Sequence, residues 1–138
     1  MARFILIRSS KFPVLEGEES ELVNPGTYGK AFALYLQSIL VAKGYEIPLV
    51  CCEDWGWWVE LKLEHMTIGL CCYREHDENT ECRFVCSTSP ENNRVWSWRK
   101  FCTIDLTSEL DRLVDDLTTA FQSDDQIELL SLSDEFPF

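Results

Sequence analysis

Residues 57–64 alternate apolar and polar side chains, and this pattern constrains the fold more than any other in the chain. Trp57, Val59, Leu61 and Leu63 fall on one side of an extended strand, and Trp58, Glu60, Lys62 and Glu64 on the other. Such a strand belongs in a sheet with one buried and one wet face, which is an antiparallel arrangement. The apolar face then needs cover, and two segments have the helical period to supply it. In residues 28–44, Phe32, Tyr35, Leu36, Ile39 and Leu40 keep that period, while Ala31, Ala33, Leu34 and Val41 widen the apolar surface. Thr27 is placed to cap this helix and Gly44 to end it in a left-handed turn. The second helix follows Asp105 as its cap. Leu106, Leu110, Leu113, Val114, Leu117, Ala120 and Phe121 lie on one face, and Asp111, Arg112, Asp115 and Asp116 on the other.

Further strands are expected at residues 2–9, 46–52, 67–73 and 81–88. The first is apolar on both faces, as a central strand would be, and Pro48 assigns an edge or a bulge to the second. Residues 10–26, with Pro13, Gly17, Pro25 and Gly26, read as a long loop, and residues 90–101 as a polar loop. The expected fold is α+β: an antiparallel sheet of about five strands with two helices packed on one face, in the order β-α-β-β-β-β-α. Its extent is a single domain over residues 1–122, followed by an acidic tail, 123–138, that carries Ile127, Leu129, Leu130, Leu132 and Phe136.

Charge narrows the partners. The chain of 138 residues has a formal net charge of −12. Residues 105–138 hold ten acids against Arg112 alone, whereas residues 1–104 hold fourteen acids and eleven bases. An acidic body repels phosphate backbones and anionic lipid, so neither nucleic acid nor a membrane is expected as partner. No apolar stretch reaches the roughly 20 residues of a membrane span, and no signal-peptide pattern opens the sequence. Seven cysteines, including the adjacent pairs Cys51-Cys52 and Cys71-Cys72, fit a cytoplasmic protein with reduced and mostly buried thiols.

The stretch CCEDWGWW, residues 51–58, concentrates unusual residues and reads as a tight turn between two strands, with Gly56 supplying backbone freedom and Asp54 accepting turn hydrogen bonds. The turn does not account for Trp58, which shares the wet face with Glu60. This tryptophan either packs under the 10–26 loop or meets a partner. Trp55, Trp58 and Glu60 are therefore candidate contact residues. So are Arg94, Trp96, Trp98 and Arg99, which with Lys100 make a basic-aromatic cluster where arginine–tryptophan stacking is expected. Glu53 and Asp54 are adjacent on one turn, a poor placement for two carboxylates that must flank a bond. Cys71, Cys72 and His76 lack the paired knuckle spacing of a structural zinc site. No metal, cofactor or catalytic residue is assigned.

The stretch NPGTYGKAFALYLQSILVAKGYEI followed by EDWGWWVEL, within residues 24–61, resembles a family of small bacterial proteins marked by Asn-Pro-Gly, a helix ending in Gly-Tyr, and Glu-Asp-Trp-Gly-Trp opening a strand. The resemblance implies a bacterial cytosolic origin and no particular chemistry. The leading expectation is a small acidic, non-enzymatic protein-binding module with a basic partner, in the manner of immunity proteins that inhibit basic toxins. One alternative is a small-molecule or metal-dependent enzyme built on Cys71, Cys72 and His76 or on Glu53 and Asp54. Another is a structural subunit, a homodimer in which the apolar residues of 127–136 dock on the neighbouring copy.

Overall fold

The computed structural model describes residues 3–75, 82–89 and 92–138. Six strands form one antiparallel sheet: β1 Phe4–Ser9, β2 Glu46–Cys52, β3 Trp57–Lys62, β4 Thr67–Arg74, β5 Cys82–Ser89 and β8 Ile127–Ser133. Their spatial order is β2-β3-β4-β5-β1-β8. A separate hairpin joins β6, Arg94–Ser97, to β7, Cys102–Asp105. The helices are α1, Lys30–Ala42, and α2, Thr107–Gln122. The expected α+β architecture is thus present, with six strands in the main sheet rather than about five. Strand β8 occupies part of the segment read as an acidic tail, and β6 occupies part of the segment read as a polar loop, with β7 directly after it.

Both helices cover the same face. The main core joins Phe32, Leu36 and Leu40 of α1 and Leu110, Leu113, Leu117 and Phe121 of α2 to Trp57, Val59, Leu61, Leu70 and Phe84 of the sheet. Phe32 is central, with ring centroids 5.2 Å from Phe12, 5.1 Å from Phe84 and 6.3 Å from Phe121. Burying such a side chain contributes about 1.5–3 kcal/mol, and truncating it to alanine costs about 3–5 kcal/mol once the cavity is included. Strand β1 is central, between β5 and β8, as its two apolar faces require. Strand β2 is an edge with a register irregularity between Glu46 and Leu49, where Pro48 lies.

The start of α1 departs from expectation. The helix begins at Lys30, after Gly29, and Thr27 does not cap it; its hydroxyl donates to the Asn24 carbonyl at 2.8 Å. The cap comes from the 10–26 loop. That loop turns through a short 3-10 segment, Glu18–Glu21, and the fully buried Glu18 points its carboxylate at the helix. Its Oε2 accepts the Gly29 and Lys30 N–H groups at 2.9 and 3.2 Å, and its Oε1 accepts Leu15 N–H at 3.0 Å. Orphan N–H groups and the positive end of the helix dipole both favour an anion here. Gly44 ends α1 as expected, with φ 97° and Tyr45 N–H reaching back to the Leu40 carbonyl. Asp105 precedes α2 and accepts Thr107 N–H at 2.9 Å.

CCEDWGWW is the junction of β2 and β3, closed by Glu53 N–H donating to the Gly56 carbonyl at 2.7 Å. Gly56 is needed for a reason other than backbone freedom. A Cβ there would sit 2.4 Å from the Cys72 carbonyl oxygen of the neighbouring strand. Trp57 turns into the core and donates its indole N–H to the Thr27 carbonyl at 3.0 Å. Trp58 turns to the opposite, outer face of the sheet. There its six-membered ring lies over Gly69, where a Cβ would come within 2.2 Å of it. It packs on its own sheet.

Candidate functional site

The β6–β7 hairpin gathers the basic-aromatic residues at one tip. Its register pairs Arg94 with Asp105, Val95 with Ile104, Trp96 with Thr103 and Ser97 with Cys102. Val95 and Ile104 pack against the main core and anchor the hairpin. Alternation therefore sends Trp96 away from that core. The four-residue loop 98–101 closes with Phe101 at φ 54°, a left-handed conformation that a phenylalanine adopts at a cost. Ser97 Oγ accepts Lys100 N–H at 3.2 Å and steadies the loop.

Trp96, Trp98 and Phe101 meet edge to face in a triangle, with centroids 5.8 Å apart for Trp96–Trp98, 5.4 Å for Trp96–Phe101 and 6.4 Å for Trp98–Phe101. They remain 43 %, 79 % and 74 % exposed respectively. The expected arginine–tryptophan stacking is replaced by this aromatic triangle. Sequence reading missed Phe101, whose conformation is set by the loop and leaves no mark in local composition.

Beside the tip lies the β3–β4 turn, Leu63–Met66. Lys100 Nζ donates to His65 Nδ1, since an ammonium has no lone pair to accept with. A groove of about 410 Å³ is lined by Tyr45, Lys62, His65, Glu109 and Arg112 among others. A second, of about 370 Å³, runs between the turn and the hairpin and is lined by Lys62, Met66, Thr67, Trp96, Trp98 and Arg99 among others. In the first, the Tyr45 hydroxyl donates to Asp116 at 2.6 Å, and burial followed by this bond raises its pKa.

Arg94, Trp96, Trp98 and Arg99 are therefore brought together on one element. Trp55, Trp58 and Glu60 belong to the main sheet and its β2–β3 turn. Trp55 packs on Tyr73 at 5.3 Å, Trp58 covers Gly69, and Glu60 is half-buried opposite Leu49 and Gly69. The carbonyl of Asp54 accepts from Asn24 Nδ2 at 2.7 Å, which ties the turn to the 10–26 loop. Cys71 and Cys72 point to opposite faces. Burial raises both pKa values, that of Cys72 strongly, and it pushes the facing Cys86 thiol up to about 12. Such thiols are poor nucleophiles and poor ligands. His76 lies outside the described residues, and among those described no group of three His, Cys, Asp or Glu side chains is placed to hold a metal ion. Among the described residues no helix is long and apolar enough to cross a membrane.

Comparison with known proteins adds nothing to this geometry: no family model, no curated protein and no solved structure matches the chain significantly. The resemblance drawn from residues 24–61 therefore carries no argument here.

Proposed function

We propose that the chain is a non-catalytic protein-binding module whose contact element is the tip of the β6–β7 hairpin. One observation carries this reading: Trp96, Trp98 and Phe101 form a contiguous aromatic surface in solvent, on a hairpin whose other face is anchored in the core. Large aromatics are expensive to leave exposed in a cluster, and interface hot spots are rich in tryptophan and arginine. Arg99 and Lys100 at the same tip favour a partner with an apolar pocket rimmed by acids. On a body of net charge −12 these cations also orient the approach.

A second reading has its own support. Glu109, Asp111 and Asp115 are exposed along α2, a surface suited to a basic partner of the kind that immunity proteins inhibit. For the homo-oligomer reading, residues 127–133 pair with β1 and Ile127, Leu129 and Leu130 pack within the chain, which leaves Leu132 and Phe136 as its exposed apolar residues.

Affinity capture from a lysate of the source organism separates these readings, with wild type run beside Trp98→Ser/Phe101→Ser and beside Asp111→Asn/Asp115→Asn. A protein retained by wild type and lost only with the hairpin variant is the expected result. Loss only with the helix variant, together with strong salt sensitivity, would move the contact to α2. Equal retention by all three, or no retained protein, would overturn the hairpin reading.

A further inference from the structure

The outer face of the main sheet carries a second apolar cluster, independent of the hairpin. Phe4, Leu6 and Val85 are buried there, with Tyr73 and Leu130 packed against them. Part of the cover comes from residues 136–138, which lie beyond the end of β8 and outside the strand ladder. The Phe136 ring meets Tyr73 edge to face at 4.9 Å and Phe4 at 5.8 Å. Phe138 packs on Phe136 at 5.6 Å and lies under the Arg83 guanidinium at 5.4 Å.

The two sides of this contact are built differently. Each residue under this cover is positioned by partners of its own. Arg83 is clamped by Glu75 through two hydrogen bonds, the Nε–Oε2 one at 2.7 Å. Tyr73 stacks on Trp55, and the Arg3 guanidinium lies over Phe4 while its Nε donates to the Thr88 carbonyl at 2.9 Å. The covering rings of Phe136 and Phe138, in contrast, meet the sheet through ring edges and a cation. Phe136 and Phe138 remain 45 % and 43 % exposed even in place. A preformed acceptor and half-exposed covering rings are what a binding site and its ligand look like. The chemistry also matches: Asp134 and Glu135 precede the aromatics, Arg3 and Arg83 flank the groove, and Pro137 keeps Phe136 extended.

We propose that this outer face is a binding groove for an extended acidic-aromatic segment of the type Asp-Glu-Phe-Pro-Phe, occupied in cis by the chain's own residues 134–138. The occupied groove is then a masked interaction surface, and a competing segment of the same chemistry displaces its cover. The proposal does not depend on the hairpin.

The test keeps the full chain and empties the groove with Phe136→Ser/Phe138→Ser. The probe is a fluorescein-labelled peptide of residues 131–138, SLSDEFPF, followed by fluorescence anisotropy. The double variant is expected to bind it saturably. A tethered segment competes at an effective concentration on the order of 1 mM, so wild type should bind about tenfold more weakly if the peptide Kd is roughly 0.1 mM. Adding Tyr73→Ala to the double variant should abolish binding. Several results would overturn the proposal. A folded double variant with no saturable binding removes the groove, and equal affinity for wild type and variant removes the cis occupant. Concentration-dependent dimerisation of wild type that is lost in the variant gives the groove to a second copy. A double variant that fails to fold makes residues 136–138 part of the scaffold and not a ligand.

Discussion

Replacing Glu18 by glutamine tests the claim that a carboxylate from the 10–26 loop, not a residue adjoining the helix, holds the start of α1. Glu18 is fully buried and its two oxygens accept three backbone N–H groups, from Leu15, Gly29 and Lys30. Glutamine has nearly the same shape, but one oxygen becomes an amide that can only donate. Whichever way it is turned, the amide faces either Leu15 N–H or the Gly29 and Lys30 pair. Hydrogen bonds to a charged group contribute about 1.5–3 kcal/mol, and a buried donor left unmet costs about 1–3 kcal/mol. The interaction of an anion with the helix end adds about 0.3–1 kcal/mol. Glu18→Gln should therefore lose about 2–4 kcal/mol, and Glu18→Ala about 3–5 kcal/mol because it strands all three donors and leaves a void. For a chain of this size 1 kcal/mol moves Tm by roughly 3–5 °C, so the glutamine variant should melt about 6–20 °C lower. Guanidinium unfolding followed by circular dichroism measures the change as a lower midpoint at unchanged slope. The exposed neighbour Glu19, changed to glutamine, is the control and should stay within about 0.5 kcal/mol of wild type. If Glu18→Gln behaves like that control, the capping argument is wrong.

Gly56→Ala should destabilise more than Gly69→Ala, because the first Cβ meets the backbone carbonyl of Cys72 whereas the second meets the movable outer end of Trp58. Unfolding midpoints should rank the two variants in that order, with a change in tryptophan fluorescence on Gly69→Ala; the reverse ranking would refute the account of the two glycines. At acid pH, the hydrogen bond from Lys11, then that from Gln126 N–H, holds the Asp124 carboxyl below its ordinary range. A folded-state pKa below the unfolded one means stability present above about pH 4 and lost as the pH falls through the folded value. Asp124→Asn should flatten that acid limb in urea midpoints measured from about pH 6 to pH 2. On the alkaline side, burial and Asp124 raise Tyr35 to about 12, so its contribution is present below about pH 10 and fades as the pH rises toward the folded value.

The periodic elements were legible in the sequence because their signals are local. The alternation at 57–64 determined a strand with one wet face, and the spacing from Leu106 to Phe121 determined an amphipathic helix. Together they called for an antiparallel sheet covered on one side. Strand β8 escaped because a register shift opposite Leu6 and Ile7 inserts an extra residue after Leu129, so that Leu129 and Leu132, three apart, pair with Ile7 and Ile5 of the same face, which breaks the period of two on which strand reading depends. The β6–β7 hairpin escaped because strands of four residues are too short for alternation to stand out. The rest could not be local at all. Glu18 caps a helix that begins twelve residues later, Trp58 covers a glycine of the next strand, and Phe136 reaches Phe4 across the whole length of the chain. The amino-acid order determined which faces had to be buried, since periodicity is a property of neighbouring residues. Which residue satisfies a distant helix end, and which aromatics stay in solvent, depends on partners that only the folded chain brings together.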